Sequence, residues 1–163
     1  MSTSENLEKA MYEEGAAVAR YLALAEKADQ EGFGGLARLL RAAARSASVH
    51  AMSHCKAMGA SGDVAAMVEE MAAEEKNKSG KTYPAMVQEA VRENEIDARH
   101  SLEYAMSIQM MRAKQLKKAA RDPASVPEAA YYVCPVCGHT AENEPPKKCP
   151  YCGVDGSRFM EVT

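Results

Sequence analysis

The residues with the plainest chemical purpose stand near the C-terminus, in CPVCGHTAENEPPKKCPYCG, residues 134–153. Cys134, Cys137, Cys149 and Cys152 form two CxxC pairs with eleven residues between them. Each pair can turn two thiolates to one side. Two such turns facing each other offer four sulfurs at the corners of a tetrahedron, a geometry that both zinc and iron accept. Gly138 and Gly153 follow the pairs, where a glycine lets the backbone turn tightly and aim amide N–H groups at the second sulfur. Paired motifs of this spacing mark a metal site, and spacing alone does not separate iron from zinc. Four of the 5 cysteines are used in this way, which in a reducing compartment fits metal ligation better than disulfides. The fifth, Cys55, falls in a helical stretch and is expected to be a packed, inert thiol.

Something must position this clip and make use of it. The chain has 163 residues, enough for one core domain and a small appendage. It has no Trp, 2 Phe, 11 Met and many Ala, which favours close-packed helices over a β-sandwich. Residues 5–121 read as helix with three interruptions: QEGFGG at 30–35, MGASGD at 58–63 with Asp63 as an N-cap, and a weaker one at Arg92–Asn94. Pro84 lies inside the third helix and is expected to kink it. DPASVPEAA, 122–130, ends the fourth helix and reads as a linker, and 131–163 form the appendage. The expected organisation is therefore a helical domain at 1–121, a linker at 122–130 and a four-cysteine metal domain at 131–163.

Each helix carries an apolar stripe stepping by three and four residues: Leu7, Met11, Val18 and Ala25; Leu36, Leu40 and Ala43; Val64, Val68 and Met71; Ala98, Leu102 and Leu116. Four amphipathic helices of this kind predict an all-α four-helix bundle. Polar residues interrupt the stripes at matching heights. Glu14 and Ala47 lie equally far from the first break, Ala47 and Glu75 from the second, Glu75 and Gln109 from the third. Glu14, His50, Glu75, Lys78, Gln109 and Arg112 can then share one layer, and buried charges there must be paired or bound to metal. Other polar residues have plainer readings. His54 and His100 are expected to be packed or exposed, and Glu69, Glu70 and Glu74 read as a solvated face. The methionines of MSIQMM read as core and interface.

A helical bundle followed by this clip resembles the rubrerythrin family. KAMYEEGAAVARY is similar to the family's opening helix, EKADQEGFGGLARL to its first turn, and YYVCPVCGHTAENEPPKKCPYCGVDGSRFMEV to its rubredoxin-like Fe(Cys)4 domain. The resemblance implies a ferritin-like bundle with a di-iron centre, an iron in the four cysteines, and peroxide reduction fed by that iron. The family's ligand pattern is one Glu, then ExxH, ExxE and ExxH. Glu14, His50 and Glu75 fall on three of those positions, while Ala47, Lys78, Gln109 and Arg112 replace the other four; Tyr21 and Tyr83 match flanking tyrosines. Ala47 offers no donor, and two cations stand where carboxylates would bridge metal. The layer is expected to neutralise itself through ion pairs of Glu14 and Glu75 with Lys78 and Arg112, without a di-iron site. The alternative is one metal on Glu14, His50 and Glu75.

The functional expectation is a divergent, rubrerythrin-like iron protein passing single electrons through Cys134, Cys137, Cys149 and Cys152. The resemblance also implies peroxidase activity, against which the four substitutions speak. The competing reading is a structural or interaction module with zinc in the clip. A redox partner protein as electron donor and a homodimer are the expected partners. A net charge of -3 with Lys and Arg spread along the chain gives no basic stripe for nucleic acid. MSTSENLEKAMYEE has no apolar signal core and no run is long enough to cross a bilayer, so a soluble, cytoplasmic protein is expected. Only about four residues join helices two and three, too few to return along a long helix. The chain must run up-down-up-down or exchange its last two helices in a domain-swapped dimer.

Overall fold

In a computed structural model of the chain, describing residues 2–59 and 62–162, the helices form two antiparallel hairpins, one in each of two compact units, 1–62 and 63–163. In the first unit α1 (Thr3–Gln30) is opened by a capping box: the Glu5 amide donates to Ser2 Oγ at 3.2 Å while the Glu5 side chain accepts from the Ser2 amide. It ends where Gly32 takes φ +82 and Phe33 N–H closes back on the Ala28 carbonyl at 2.8 Å. The chain re-enters helix at once as α2 (Gly34–Ala57), so the first interruption is shorter than expected: Gly34 and Gly35 belong to the helix. Arg41 and Asp29 pair across this turn. Ala25, Ala28, Ala37, Ala44 and Ala47 are the buried residues of the hairpin. Small side chains let the two helix backbones approach closely.

The second unit starts at Asp63, whose carboxylate accepts from Ala66 N–H at 2.9 Å and caps α3 (Val64–Asn77) as expected. Of the interruption at 58–63, Ala60 and Ser61 lie outside the described residues. The third helix is not a regular α-helix up to Pro84. It passes through one π turn, Lys78–Thr82, and continues as α4 (Tyr83–Arg92). Proline has no N–H to give and its ring crowds the carbonyl four residues back. The turn just ahead of it is widened, with Tyr83 N–H bonded to the Lys78 carbonyl, which accommodates the conflict within the helix. Asn94, with φ +58, makes the next turn, and α5 (Ile96–Arg121) runs back along α3 and α4.

After a 3₁₀ turn at Pro123–Ser125 the chain forms a three-stranded antiparallel sheet in the order β2-β1-β3. β1 (Tyr131–Val133) is central, β2 is Thr140–Glu142 and β3 is Met160–Val162. Tyr132 faces Ala141 on one side and Glu161 on the other. The loops between these short strands carry the cysteines. Among the described residues no helix is long and apolar enough to cross a membrane.

Candidate metal centre and the substituted polar layer

Two matching turns build the cysteine cluster. In the first, Gly138 N–H bonds to the Cys134 carbonyl at 3.0 Å and Cys134 N–H to that of His139 at 2.8 Å. In the second, Gly153 N–H reaches the Cys149 carbonyl at 2.9 Å and Cys149 N–H that of Val154 at 2.8 Å. Gly138 and Gly153 sit at φ +76 and +74, the left-handed region that a side chain resists. The four sulfurs lie within 4.8 Å of one another, with Cys134–Cys152 and Cys137–Cys149 each 3.5 Å apart. Cys134, Cys137 and Cys149 are buried and Cys152 half-buried. Val154, Phe159 and, from α5, Tyr104 pack against them.

The electrostatics of this cluster call for a cation. Burial pushes the Cys134 thiol up, but the amide N–H groups of Cys137 and Val136, with the contacts to Cys152 and Cys137, outweigh it and bring the group down to about 7. Burial raises Cys137 and Cys152, and sulfur neighbours hold their protons on. One thiol thus ionises first and opposes the ionisation of its neighbours. A positive charge among buried thiols favours their thiolate forms, and four soft sulfurs at this spacing fit iron or zinc. Burial lowers the His139 pKa below the ordinary 6.5; its ring lies 5.0 Å from Tyr151 and 6.2 Å from Phe159, measured between centroids.

Within each unit, the residues expected in the polar layer make local contacts. In the first unit His50 Nδ1 lies 3.2 Å from Glu14 Oε1, beside the buried Ala47. In the second, Arg112 Nε reaches Glu75 Oε1 at 2.7 Å, and Gln109 donates to the Tyr83 hydroxyl at 3.1 Å. Lys78 does not join Glu75, contrary to expectation. Its ammonium lies 3.2 Å from Glu74, one helical turn back on the exposed side. A long cationic side chain that can keep its head in water will do so, and an i,i+4 carboxylate is within reach there. Glu75 Oε2 and Gln109 Oε1 are buried with no partner among the described residues. Cys55 is half-buried with its sulfur 3.2 Å from Met11 Sδ.

Several residues at these sites carry no mark in the sequence. Tyr104, against the cysteine cluster, and His100, which with Tyr104, Val136 and Cys137 lines a cavity of about 330 Å³, lie far from the CxxC motifs in the chain. Ser2 did carry a signal, since serine followed three residues later by glutamate is the pattern of a capping box.

Hairpins of long helices, followed by a small β-domain that gathers four cysteines, define a helical metalloprotein with a rubredoxin-type terminal module. The rubrerythrin family profile matches residues 5–133, and that of the rubrerythrin rubredoxin-like domain matches residues 132–160. The chain belongs to the rubrerythrin family. It is 26% identical to Rubrerythrin-2 of Clostridium acetobutylicum, covering 97% of this chain and 95% of the relative. It is 27% identical to nigerythrin of Nitratidesulfovibrio vulgaris over 93% of this chain and 82% of that protein. Its fold is similar to a solved mixed-valence state of nigerythrin, with a TM-score of 0.59, 25% identity and coverage of 99% of this chain and 87% of the other.

Proposed function

We propose that this protein is a one-electron carrier of the rubrerythrin type, with iron held by Cys134, Cys137, Cys149 and Cys152 and no di-iron pair in the helical part. The observation that carries the reading is the cysteine cluster itself, four sulfurs within 4.8 Å of one another with amide N–H groups aimed at them. Iron bound there would supply a single-electron couple between its ferric and ferrous states. The protein's part is to hold the sulfurs still and to stabilise their negative charge. N–H groups from Val136, Cys137, His139 and Val154 do this, and such bonds raise a thiolate-iron potential. Half-buried Cys152, and the cavity at Cys137 beside His100 and Tyr104, give an electron donor its approach. Nigerythrin, a relative, has been solved in mixed-valence, partially reduced and fully reduced all-ferrous states.

Peroxide reduction belongs to this reading only if metal binds among the helices, and the substituted layer argues against it. Ala47 has no donor atom, and Arg112 occupies Glu75 with a direct hydrogen bond. Each half of the layer meets its own charge locally, so a bridging pair of cations would have to displace those contacts. The large apolar side chains left exposed on both hairpins, among them Leu36 at 49% and Met71 at 56%, support assembly as a homodimer. A protein electron donor and a cytoplasmic location complete the proposal.

The test is a metal count and a spectrum on protein made with ample iron. One iron per chain, red when oxidised and bleached by dithionite, is the expected result. Three irons per chain, or peroxide turnover with a suitable NADH-linked reductase, would overturn the metal-free layer. A colourless protein that takes zinc and refuses iron on reconstitution would overturn the redox reading in favour of a structural module.

A further inference from the structure

The second unit contains a groove that the redox reading does not use. It runs between α3 with its π turn and α5 as a cavity of about 720 Å³. Its floor is made of small and apolar side chains, Ala72, Ala73, Ala113 and Met110. Its rims are basic: Lys76 and Lys81 on one side, Lys114 and Lys117 on the other. None of these four lysines lies within ion-pairing distance of a carboxylate among the described residues, although the chain as a whole carries a net charge of -3. Glu69 is the one acidic lining residue, on α3 at the end of the groove away from Lys81. Four unpaired ammonium groups along an apolar trough repel one another and invite a negative partner.

We propose that this groove binds an amphipathic helix of a partner protein, one whose apolar stripe is flanked on both sides by acidic residues. The shape argues for a helix. From Glu69 to Lys81 the trough extends roughly 18 Å, about three helical turns. An alanine floor lets a ridge of larger side chains settle between the walls, as when an amphipathic helix enters an apolar groove. The charge fixes the flanks, because both rims are basic and carboxylates on both sides of the stripe would meet them. The π turn shapes one wall. It places Gly80 at the edge of the trough, where an added Cβ would meet nothing within 4 Å. A side chain at that position would project into free space and obstruct the groove without disturbing its own surroundings.

The experiment uses the full metal-loaded chain and a labelled synthetic helical peptide of about 14 residues, with a leucine stripe flanked by glutamates. Its counterpart carries lysines in place of the glutamates. Fluorescence anisotropy should show saturable binding of the acidic peptide, weakened by salt, and none of the basic one. The double variant Lys76→Glu/Lys114→Glu, and separately Gly80→Leu, should each raise the Kd at least tenfold. The double variant Lys9→Glu/Lys27→Glu, an equal charge change on α1, should alter it less than twofold. All the lysines are on the surface, so the double variant decides the matter even if Gly80→Leu folds poorly. Equal binding of both peptides, or unchanged affinity in the variants, overturns the proposal. Binding of dodecanoate or a single-stranded oligonucleotide with none of the acidic peptide overturns it too. So does a dimer that dissociates on Gly80→Leu, which would give the groove to a second copy of the chain. Peptide binding is read without redox chemistry, so its failure is distinct from failure of the electron-transfer reading.

Discussion

Replacing Gly156 by alanine should cripple the four-cysteine domain while leaving the helices intact. Gly156 has an ordinary φ, so its need for glycine is steric. A Cβ built there would lie 1.8 Å from the Pro146 carbonyl oxygen and 2.9 Å from its carbon, both backbone atoms that cannot swing aside. Relief to an ordinary contact requires the two segments to part by about 1.5 Å. That movement breaks the Gly156 N–H bond to the Lys147 carbonyl, now 3.0 Å, and strains the neighbouring Cys149 N–H bond to Val154, now 2.8 Å. At about 1 kcal/mol for each bond and about 1–3 kcal/mol for overpacking, the cost comes to roughly 3–5 kcal/mol. Metal binding and folding of such a domain are linked, so metal affinity should fall by about 10²–10⁴-fold at 1.4 kcal/mol per decade. Gly153→Ala is the control. It has open space around its Cβ and only the left-handed backbone to resist, a cost of about 1–2 kcal/mol and about tenfold in affinity. Chelator competition with Co²⁺, followed by its thiolate absorption, measures both, and far-UV circular dichroism checks the helices. Gly156→Ala binding metal as tightly as Gly153→Ala would refute the steric argument.

The layer and the second cysteine turn give further predictions. Arg112→Ala should destabilise the protein by about 1–3 kcal/mol in urea unfolding, because it strands a carboxylate that is only 15% exposed and whose Oε2 already lacks a partner among the described residues. Glu75→Gln should cost less, under about 1 kcal/mol, since Arg112 is 47% exposed and water can replace its partner. Lys78→Ala should stay within about 0.5 kcal/mol of the parent in the same assay, as expected of an exposed i,i+4 pair with Glu74. The amide and hydroxyl of Ser157 hold the Asp155 carboxyl below its ordinary 3.8. Its stabilisation is therefore present above that ordinary value and is withdrawn as pH falls through the lower folded one. Asp155→Asn should lower the domain's stability at neutral pH and flatten its loss in acid.

How far the sequence reaches can be judged from particular residues. The cysteine clip was readable because the spacing of two CxxC pairs is itself a geometric constraint. The helices were readable because Gly32, Asp63 and Asn94 punctuate them by local backbone chemistry. The apolar stripes caught some buried residues, such as Ala25, and missed others. Leu36 and Met71, on the expected stripes, are 49% and 56% exposed, whereas Ala28, Ala37 and Ala72 are nearly inaccessible. A stripe of large residues marks the surface a helix offers to further partners, while the seam within a hairpin selects alanine for close approach, and alanine is a weak signal in a helix-rich chain. The π turn ahead of Pro84 was hidden for a different reason: a proline in a helix announces a conflict but not its resolution. The basic groove was missed because Lys76, Lys81, Lys114 and Lys117 look scattered in one dimension and meet only when α3 and α5 lie antiparallel.

The same antiparallel logic bears on the proposal that the polar layer holds no metal pair. A metal-bridged layer ties residues from all the helices to shared cations, so the loss of one ligand weakens the others' reason to be there. In this chain the surviving carboxylates have found partners within their own hairpins. Glu14 lies against His50, and Glu75 against Arg112. Arginine at 112 is the telling residue, because its planar fork donates to a carboxylate from a fixed direction. It meets the Glu75 carboxylate directly, where the histidine that the family resemblance implies at this place would have offered a donor to metal. Once that contact exists, alanine at 47 and glutamine at 109 leave no anionic charge unmet at their own positions, and lysine at 78 can turn outward to Glu74. On the proposed reading the residues at 47, 78, 109 and 112 are coherent as one electrostatic change, and the cysteine domain, which shares none of them, gathers all four of its sulfurs.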